Sequence, residues 1–321
     1  MEKQYIKEKA FSPLLGRYTT VIAWAIMFIA FSIIAPGFFS TYNFINLLRQ
    51  ISMLAIATCG LTICIIAGDW DLSVGRVAGL SGIVAVSLIT RGGMPTIVGI
   101  ISGLATGIVI GCINGLLITR VGIPSLIVTL GMMTVTYGIS LTWTQGLAIY
   151  ETLPENFTFW GSGYIGFIPT PIYIMVLIVV LTYILLNKTK TGRYIYAIGG
   201  NKTVASLSGI NVEQYRFIGL VICSFLASLA GIILMGRLGS GQPTAGGEFL
   251  LEGLGSVFLG VTAIKLGKPN ILGSMVGVLI MGTLSNGLTV AGVPAYPQEI
   301  VKGAVMISAV VAAVWRTEIT I

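Results

Sequence analysis

Long apolar runs, almost free of charge, constrain this chain more than any other feature of its sequence. A helix that crosses the ~30 Å hydrocarbon core of a bilayer needs about 20 mostly apolar residues. Runs of that kind recur along the chain, and only 9% of its 321 residues are charged, against roughly 25% in an average soluble domain. The sequence therefore predicts an all-α polytopic membrane protein, with residues 1–321 forming a single transmembrane domain.

Ten apolar segments have the length of a membrane span. The first is too long for the core of a signal peptide and lacks a small-residue cleavage site, so we expect it to be retained. The ten segments cover residues 19–36, 47–68, 72–90, 94–119, 122–145, 168–187, 215–236, 249–267, 270–292 and 297–315.

The charged residues between these segments separate by sign. If the N-terminus lies in the cytoplasm, the segments on that side contain most of the Lys and Arg residues, including Arg76 and Arg120. Such an excess is typical of cytoplasmic segments, so both termini are predicted to be cytoplasmic in a bacterial inner membrane. The net charge of +7 then orients the protein and does not indicate a nucleic-acid partner. The other side holds Glu151, Glu155, Glu248, Glu252 and Glu299, with Arg91 and Arg237.

The chain contains a weak internal repeat. The order Pro, Gly, Asn-Gly, Gly-apolar-Pro occurs between Met94 and Pro124 and again between Lys268 and Pro294. A short, glycine-interrupted segment with acidic residues precedes each copy. By the count of spans the first copy starts outside and the second inside, which predicts two inverted repeats, roughly 44–150 and 215–315. Interrupted segments at matching places in inverted halves indicate the solute path of a transporter.

Polar side chains near these interrupted segments are the candidates for the translocation path. Ionisable groups at membrane depth usually face a cavity or a partner. Asp71 or Ser73 also suits the N-cap of the next helix, a role that we favour over direct contact with solute. Glu248 and Glu252 share one helical face as an external rim, and Trp70 is expected to anchor at the membrane interface. The candidate path residues are Asp69, Asp71, Ser73, Asn114, Glu252 and Asn286.

A glycine recurs at every fourth position along one predicted span. On a helix these glycines form one smooth stripe, which lets a neighbouring backbone approach closely in a lipid environment. We expect helix packing rather than direct lining of a pore. The stripe consists of Gly99, Gly103, Gly107, Gly111 and Gly115.

Catalytic and metal-binding chemistry is not predicted. The chain has no histidine, and neither a nucleophile–base pair nor a helical Gly-x-Ser-x-Gly site is found, so an intramembrane enzyme is the least favoured class. The residues from Gly200 to Thr203 resemble a phosphate loop only weakly, since Asn201 stands where glycine is required. We therefore expect no bound cofactor, and any ATP is used by a partner. The cysteines, expected to be buried thiols, are Cys59, Cys64, Cys112 and Cys223.

The longest polar stretch between spans, residues 188–215, is named the coupling segment here. Gly199 and Gly200 are expected to break the chain, and Lys202–Leu207 to form a short amphipathic helix that ends at Gly209. A chain without a nucleotide site either conducts solute downhill or uses ATP hydrolysis by a partner that docks on such a segment.

The coupling segment resembles the ribose-type permeases of bacterial ABC importers. The resemblance rests on Gly-Arg-Tyr-Ile-Tyr-Ala-Ile-Gly-Gly-Asn at 192–201 and Leu-Ser-Gly-Ile-Asn at 207–211, with Asp-Leu-Ser-Val-Gly at 71–75 in support. Asp69 and Trp70 depart from the family's usual Gly-Ile. The resemblance implies a ten-helix fold and an ATPase docking site that includes Gly192, Arg193, Gly199, Gly200, Asn201, Ser208 and Gly209.

The same resemblance implies the partners and the activity. The partners are an ATP-binding cassette subunit, an extracytoplasmic solute-binding protein, a second permease copy in a homodimer or a close paralogue in its place, and membrane lipid. The expected function is ATP-driven import of a monosaccharide, a pentose or a similar small sugar, by alternating access. The alternatives are an autoinducer-type sugar, a branched-chain amino acid, and a passive or ion-coupled carrier that needs no ATPase.

Overall fold

The computed structural model describes residues 13–264 and 267–317. Residues 1–12, 265–266 and 318–321, which the predicted domain includes, lie outside the described residues. Within the described part, the chain folds into thirteen α-helices and two strands of two residues each. The helices are α1 Pro13–Ile34, α2 Thr41–Ile66, α3 Val74–Thr90, α4 Thr96–Thr119, α5 Ser125–Thr144, α6 Glu155–Ser162, α7 Thr170–Lys188, α8 Lys190–Gly200, α9 Lys202–Leu207, α10 Val212–Leu238, α11 Glu248–Val261, α12 Ile271–Val290 and α13 Ala295–Thr317.

Six of these helices are long and apolar enough to cross a membrane by length and composition: α2, α4, α5, α7, α10 and α12. The prediction of a helical membrane protein is thereby confirmed. Each of the ten predicted segments overlaps a helix, but α3 has 17 residues and α11 has 14, fewer than the about 20 that a complete crossing requires. The predicted span 249–267 was too long, because α11 ends at Val261 and a turn follows it.

The structure also contains elements that hydrophobicity did not predict. Helix α6 starts after Pro154, whose fixed φ suits the residue that precedes a helix. A hairpin follows, in which β1 (Tyr164–Ile165) pairs antiparallel with β2 (Ile168–Pro169). Gly166 permits the tight turn between the strands because its φ is +64°.

Helix α10 lies at the centre of the molecule and packs against α2, α3 and α4. Small residues allow this close packing. A Cβ atom on Gly60 of α2 would lie 2.8 Å from the Cα atom of Cys223 on α10. Helices α11 and α12 form a second packed pair, which α13 contacts. The most buried positions of α2 and α10 therefore form the core around which the shorter helices are arranged.

Contacts between the connections mark one end of the molecule. Lys202 donates a hydrogen bond from Nζ to the carbonyl oxygen of Gly68 at 3.2 Å. The Tyr196 hydroxyl donates to the carbonyl oxygen of Pro269 at 3.4 Å. These two contacts join three connections that the sequence assigns to the cytoplasmic side, and this end is called the coupling end.

Other contacts mark the opposite end. Arg91 forms an ion pair with Glu151 at 3.0 Å, and the backbones of Ile149 and Gly241 form an antiparallel bridge. The sequence assigns all of these connections to the extracytoplasmic side. The two sets of contacts are therefore consistent with the predicted alternation of the spans.

Candidate translocation path and coupling segment

The chain is not helical between α2 and α3, from Ala67 to Ser73. Gly68 adopts a left-handed conformation, with φ of +77°, so the chain turns sharply at the end of α2. Helix α3 begins only at Val74. The seven residues between the helices carry both aspartates that the sequence singled out, and the structure places both of them in the interior.

Asp71, Ser73 and Asn114 are fully buried and hydrogen-bonded to one another. The Oδ1 atom of Asp71 accepts from the Ser73 amide at 3.0 Å and from the Ser73 hydroxyl at 2.6 Å. Asn114, on α4, donates from Nδ2 to the Ser73 hydroxyl at 3.1 Å. The Ser73 side chain makes no cap bond to the first turn, so Asp71 is the side chain that satisfies a backbone amide at the start of α3.

Three oxygen atoms close to this network form no hydrogen bond of good geometry with a described residue, although Ser224 and Cys223 lie next to Asp71. They are Oδ2 of Asp71, Oδ1 of Asn114 and Oγ of Ser224, all shielded from solvent. We call Asp71, Ser73, Asn114 and Ser224 the polar cluster. A buried polar group without a partner costs about 1–3 kcal/mol. The polar cluster thus holds polar atoms that no hydrogen bond of good geometry satisfies within the described residues.

Asp69 faces away from the polar cluster and toward the coupling end. Its carboxylate accepts two bonds from Arg216 in the first turns of α10, from Nε at 2.8 Å and from Nη2 at 2.6 Å. The side chain of Asp69 is 1% exposed and that of Arg216 is 17% exposed. Burial lowers the pKa of nearby Lys202, an effect that the charge of Asp69 opposes. Asp69 therefore connects α10 and the coupling segment to the interruption before α3.

The two glycine-interrupted segments that the sequence singled out lie against each other. A Cβ atom on Gly75 would lie 2.6 Å from the carbonyl oxygen of Gly246, and one on Gly79 would lie 2.7 Å from that of Ala245. The segment before α11 therefore reaches the first turns of α3. Only glycine at these two positions of α3 allows the backbones to come so close.

The sequence did not predict where Arg76 lies. It was counted as a cytoplasmic charge, but it lies in the first turn of α3, half-buried. Its guanidinium lies 3.9 Å from the ring centroid of Tyr137 on α5 and borders Gly247. The signal in the sequence was an arginine only five residues after Asp71, inside a predicted span.

Trp70 does not have the surroundings expected of an interfacial anchor. Its amide donates to the Ser125 hydroxyl at 3.1 Å, and its carbonyl oxygen accepts from the Thr129 hydroxyl at 3.2 Å. Its ring centroid lies 5.8 Å from that of Phe258 on α11. The residue thus connects the interruption to α5 and α11.

Glu252 belongs to a separate, buried cluster and not to an external rim. Its carboxylate forms an ion pair with Lys302 on α13 at 2.8 Å and accepts from the Ser285 hydroxyl on α12 at 3.2 Å. Lys302 also pairs with Glu299 at 2.9 Å. Of the two glutamates expected to form an external rim, only Glu248 is exposed. Helical periodicity alone could not identify a lysine fifty residues away as the partner of Glu252.

Asn286 does not join the polar cluster either. Its side-chain amide forms a reciprocal pair with that of Asn43, at 2.8 and 3.1 Å. Asn43 also donates to the carbonyl oxygen of Phe38 at 2.9 Å. The pair fastens α12 to the start of α2.

The coupling segment consists mainly of α8 and α9. The predicted helix over Lys202–Leu207 is confirmed as α9, and Gly209, with φ of +81°, follows it. The expected break at Gly199 and Gly200 is wrong, because α8 includes both glycines. The break falls at Asn201, whose Oδ1 accepts from the Val204 amide at 3.0 Å and caps α9.

The remaining predicted residues of the coupling segment have distinct surroundings. Gly192 is buried against the last turn of α7, and Gly199 abuts the carbonyl oxygen of Ile66. Arg193 is exposed, and Ser208 donates to the carbonyl oxygen of Val204 at 2.9 Å. On α9, Leu207 is 83% exposed, an apolar side chain directed away from the rest of the molecule.

The glycine stripe of α4 lies on its buried face. A Cβ atom on Gly103 would lie 2.7 Å from the carbonyl oxygen of Ser81 on α3. Further along, one on Gly107 would lie 2.6 Å from that of Ser224 on α10, and Gly115 packs on the ring of Phe217. The stripe thus faces α3 at one end and α10 at the other.

Comparisons with known proteins give a family. A family model described as "Branched-chain amino acid transport system / permease component" matches residues 43–310. The ribose import permease protein RbsC of Bacillus subtilis (strain 168) is 42% identical over 300 residues, covering 93% of this chain and 90% of its own. RbsC of Escherichia coli (strain K12) is 38% identical over 294 residues, 91% of each chain. The D-allose transport system permease protein AlsC of that strain is 33% identical over 301 residues, 94% of this chain and 92% of its own.

These similarities extend over nearly the whole chain rather than over one motif. They confirm the resemblance to ribose-type permeases that residues 192–211 predicted. Together with the apolar helices, they identify a multi-pass inner-membrane protein. Its relatives are permease subunits, so its role is that of a transport subunit and not of an enzyme. The chain belongs to the family of branched-chain amino acid transport system permease components.

Proposed function

We propose that this chain is the membrane-spanning subunit of an importer for a monosaccharide, ribose or a closely similar sugar. The observation that carries the proposal is the 42% identity to a ribose import permease over 93% of the chain. The interior agrees with that substrate class. The polar cluster offers unused hydrogen-bonding atoms, which suit the hydroxyl groups of a neutral sugar.

Uptake of radiolabelled ribose tests this function. The chain is expressed, together with its ATPase subunit and its solute-binding protein, in cells that lack their own ribose permease. Accumulation of ribose against its gradient is expected, and its loss when the ATPase carries an inactive nucleotide site. Equal uptake with the inactive ATPase would mean a passive or ion-coupled carrier.

A second candidate substrate follows from the description of the family, which names branched-chain amino acids. The identity to sugar permeases over most of the chain makes this the weaker candidate. Radiolabelled leucine in the same cells decides between the two. Accumulation of leucine without ribose would replace the sugar by an amino acid.

The proposed topology has ten spans, both termini in the cytoplasm, and two inverted repeats over roughly 44–150 and 215–315; two of the spans combine the short helices α3 and α11 with the non-helical segments beside them. Its support is the agreement between the sequence-assigned sides and the contacts at the two ends, such as Lys202 with Gly68 and Arg91 with Glu151. Single cysteines at Gly93 and Asn211 in a cysteine-free background test it. A membrane-impermeant thiol reagent added to intact cells should label the first position and not the second.

The proposed translocation path passes the polar cluster. In this proposal Asp71, Ser73 and Asn114 come into contact with solute when the helices around them separate. Asp69, Glu252 and Asn286 hold the bordering helices instead, because each already has a partner that uses its polar atoms.

The proposed partners are an ATP-binding cassette subunit at the coupling end, a solute-binding protein at the opposite end, and a second copy of the permease. Docking of the ATPase on α8 and α9 is supported by the exposed Leu207 and Val204. The bond from Lys202 to Gly68 and the pair of Asp69 with Arg216 would transmit movement of this segment to α3. The permease itself binds no cofactor in this proposal, and ATP is hydrolysed by the partner.

A further inference from the structure

Two arginines at the extracytoplasmic end have no acidic partner among the described residues. Arg49 lies on α2 and Arg237 at the end of α10, close enough for their charges to repel. None of the ion pairs among the described residues includes either of them. We call them the guanidinium pair. An arginine remains charged at any physiological pH, so the repulsion cannot be relieved by loss of a proton.

Arg49 is the less satisfied member. Its Nε and Nη2 atoms are shielded from solvent, and no described residue accepts a hydrogen bond from them. The ring of Tyr164 on the hairpin lies 5.0 Å from its guanidinium carbon. Buried charges in proteins are normally paired. Arg49 therefore offers two shielded hydrogen-bond donors to an anion.

The depth of the site indicates which anion it takes. The segment around Tyr164 exposes a series of large aromatic side chains, and Phe167 at the tip of the hairpin is 94% exposed. Exposed aromatic rings are typical of the level of the lipid headgroups. The other exposed rings of this series belong to Phe159, Trp160 and Tyr164.

From this geometry we propose that Arg49 and Arg237, with Tyr164 beside them, bind a phosphate oxyanion, supplied by the headgroup of an anionic phospholipid. The planar fork of a guanidinium matches a phosphate group with two parallel hydrogen bonds. The bound phosphate neutralises the repulsion between the two arginines and joins α2, α10 and the hairpin. Free inorganic phosphate offers the same chemistry, and the experiment separates the two sources.

Native mass spectrometry of the purified protein, titrated with phosphatidylglycerol or phosphatidylcholine, tests the proposal. The wild type should retain phosphatidylglycerol preferentially. The R49Q/R237Q variant should retain it at least about tenfold less, because each charged hydrogen bond contributes a large share of the affinity. The matched control is R91Q, which removes an exposed arginine at the same end and should leave retention unchanged.

The other outcomes are equally decisive. Stabilisation of the wild type by millimolar inorganic phosphate, without a lipid preference, would support the oxyanion site but assign it to free phosphate. Equal retention by wild type and R49Q/R237Q, with no effect of phosphate, would overturn the site. The proposal would also be overturned if R49Q/R237Q lost only its affinity for the solute-binding protein. A carboxylate of that protein would then be the anion. If the double variant cannot be purified, R49Q and R237Q are judged separately by the same criteria.

Discussion

Asp71 combines complete burial with an oxygen atom that has no partner, while its other oxygen holds Ser73 at the start of α3. These two atoms have different consequences for mutation. One serves the fold, and the other is the atom that the proposed translocation path assigns to contact with a solute. Substitutions at this residue can therefore separate folding from transport.

We expect D71N to lower the rate of sugar uptake by at least about tenfold while the protein remains in the membrane, because one of the two carboxyl oxygens becomes an amide NH₂ group, which donates hydrogen bonds and cannot accept them. The D71A variant should in addition lower the free energy of unfolding by about 1.5–3 kcal/mol, since the Ser73 amide then loses its acceptor. Uptake assays and thermal denaturation in detergent measure the two effects. Normal uptake by D71N would remove Asp71 from the proposed path.

The pair of Asp69 and Arg216 is the residue-scale feature with the largest expected effect on stability. Breaking a buried pair from one side leaves an uncompensated charge, so R216Q should lower the free energy of unfolding by about 3–5 kcal/mol. The double variant D69N/R216Q should recover part of that loss. The exposed pair of Arg91 and Glu151 is the control, because R91Q should cost at most about 1 kcal/mol. Equal effects of R216Q and R91Q would contradict the role given to the buried pair.

Helix α4 shows, at the scale of elements, how a small residue determines packing. Gly107 lies so close to α10 that an added methyl group has no room. We expect G107A to lower the free energy of unfolding by about 1–3 kcal/mol, the usual result of overpacking. On α5, Gly131 has open space around it, so G131A should raise stability slightly through helix propensity. Thermal denaturation of the two variants makes the comparison, and a neutral G107A would show that the helices can separate without loss.

Helix α9 is the second element with a specific prediction. Because Leu207 contacts so little of its own chain, L207D should leave the thermal stability of the permease unchanged. It should reduce copurification of the ATPase by at least about tenfold, since an interface with an apolar centre does not accept an unpaired carboxylate. The control F167D changes an exposed side chain at the opposite end and should not affect the ATPase. Unchanged copurification with L207D would move the docking site elsewhere.

For the whole molecule, the sequence predicted the helices well and the contacts between them poorly. Apolar length alone identified α2, α4 and α10, because lipid requires the same composition wherever a helix crosses. It could not reveal that Glu252 meets Lys302 or that Asn43 meets Asn286, since such pairs depend on how distant helices are arranged. The repeat did indicate the place of Asp71, Ser73 and Asn114, because a glycine-interrupted segment has few ways to pack.

Arg49 was missed for a related physical reason. It lies in an otherwise apolar stretch, and a hydropathy window tolerates one charged residue. Only the arrangement of α2, α10 and the hairpin reveals that this arginine lacks an acidic partner.

Hydrogen exchange should follow the same overall arrangement. Backbone amides of α2 and α10 are expected to exchange most slowly, since these helices form the centre of the packing. Amides between Gly239 and Gly247 should exchange much faster, because that segment has few regular backbone bonds. Mass spectrometry of deuterated peptides measures both, and rapid exchange in the middle of α10 would contradict the central position of that helix.

Because Asn43 and Asn286 hydrogen-bond to each other, we expect substitutions at the two positions to be correlated during evolution. Within the pair each amide gives and receives one bond, so replacing either residue alone leaves both polar atoms of the other side chain without their partner. Exchanging both for a pair of apolar side chains avoids that loss. Among homologous sequences, the residues at 43 and 286 should therefore change together, as two asparagines or as two apolar residues, and mixed pairs should be rare.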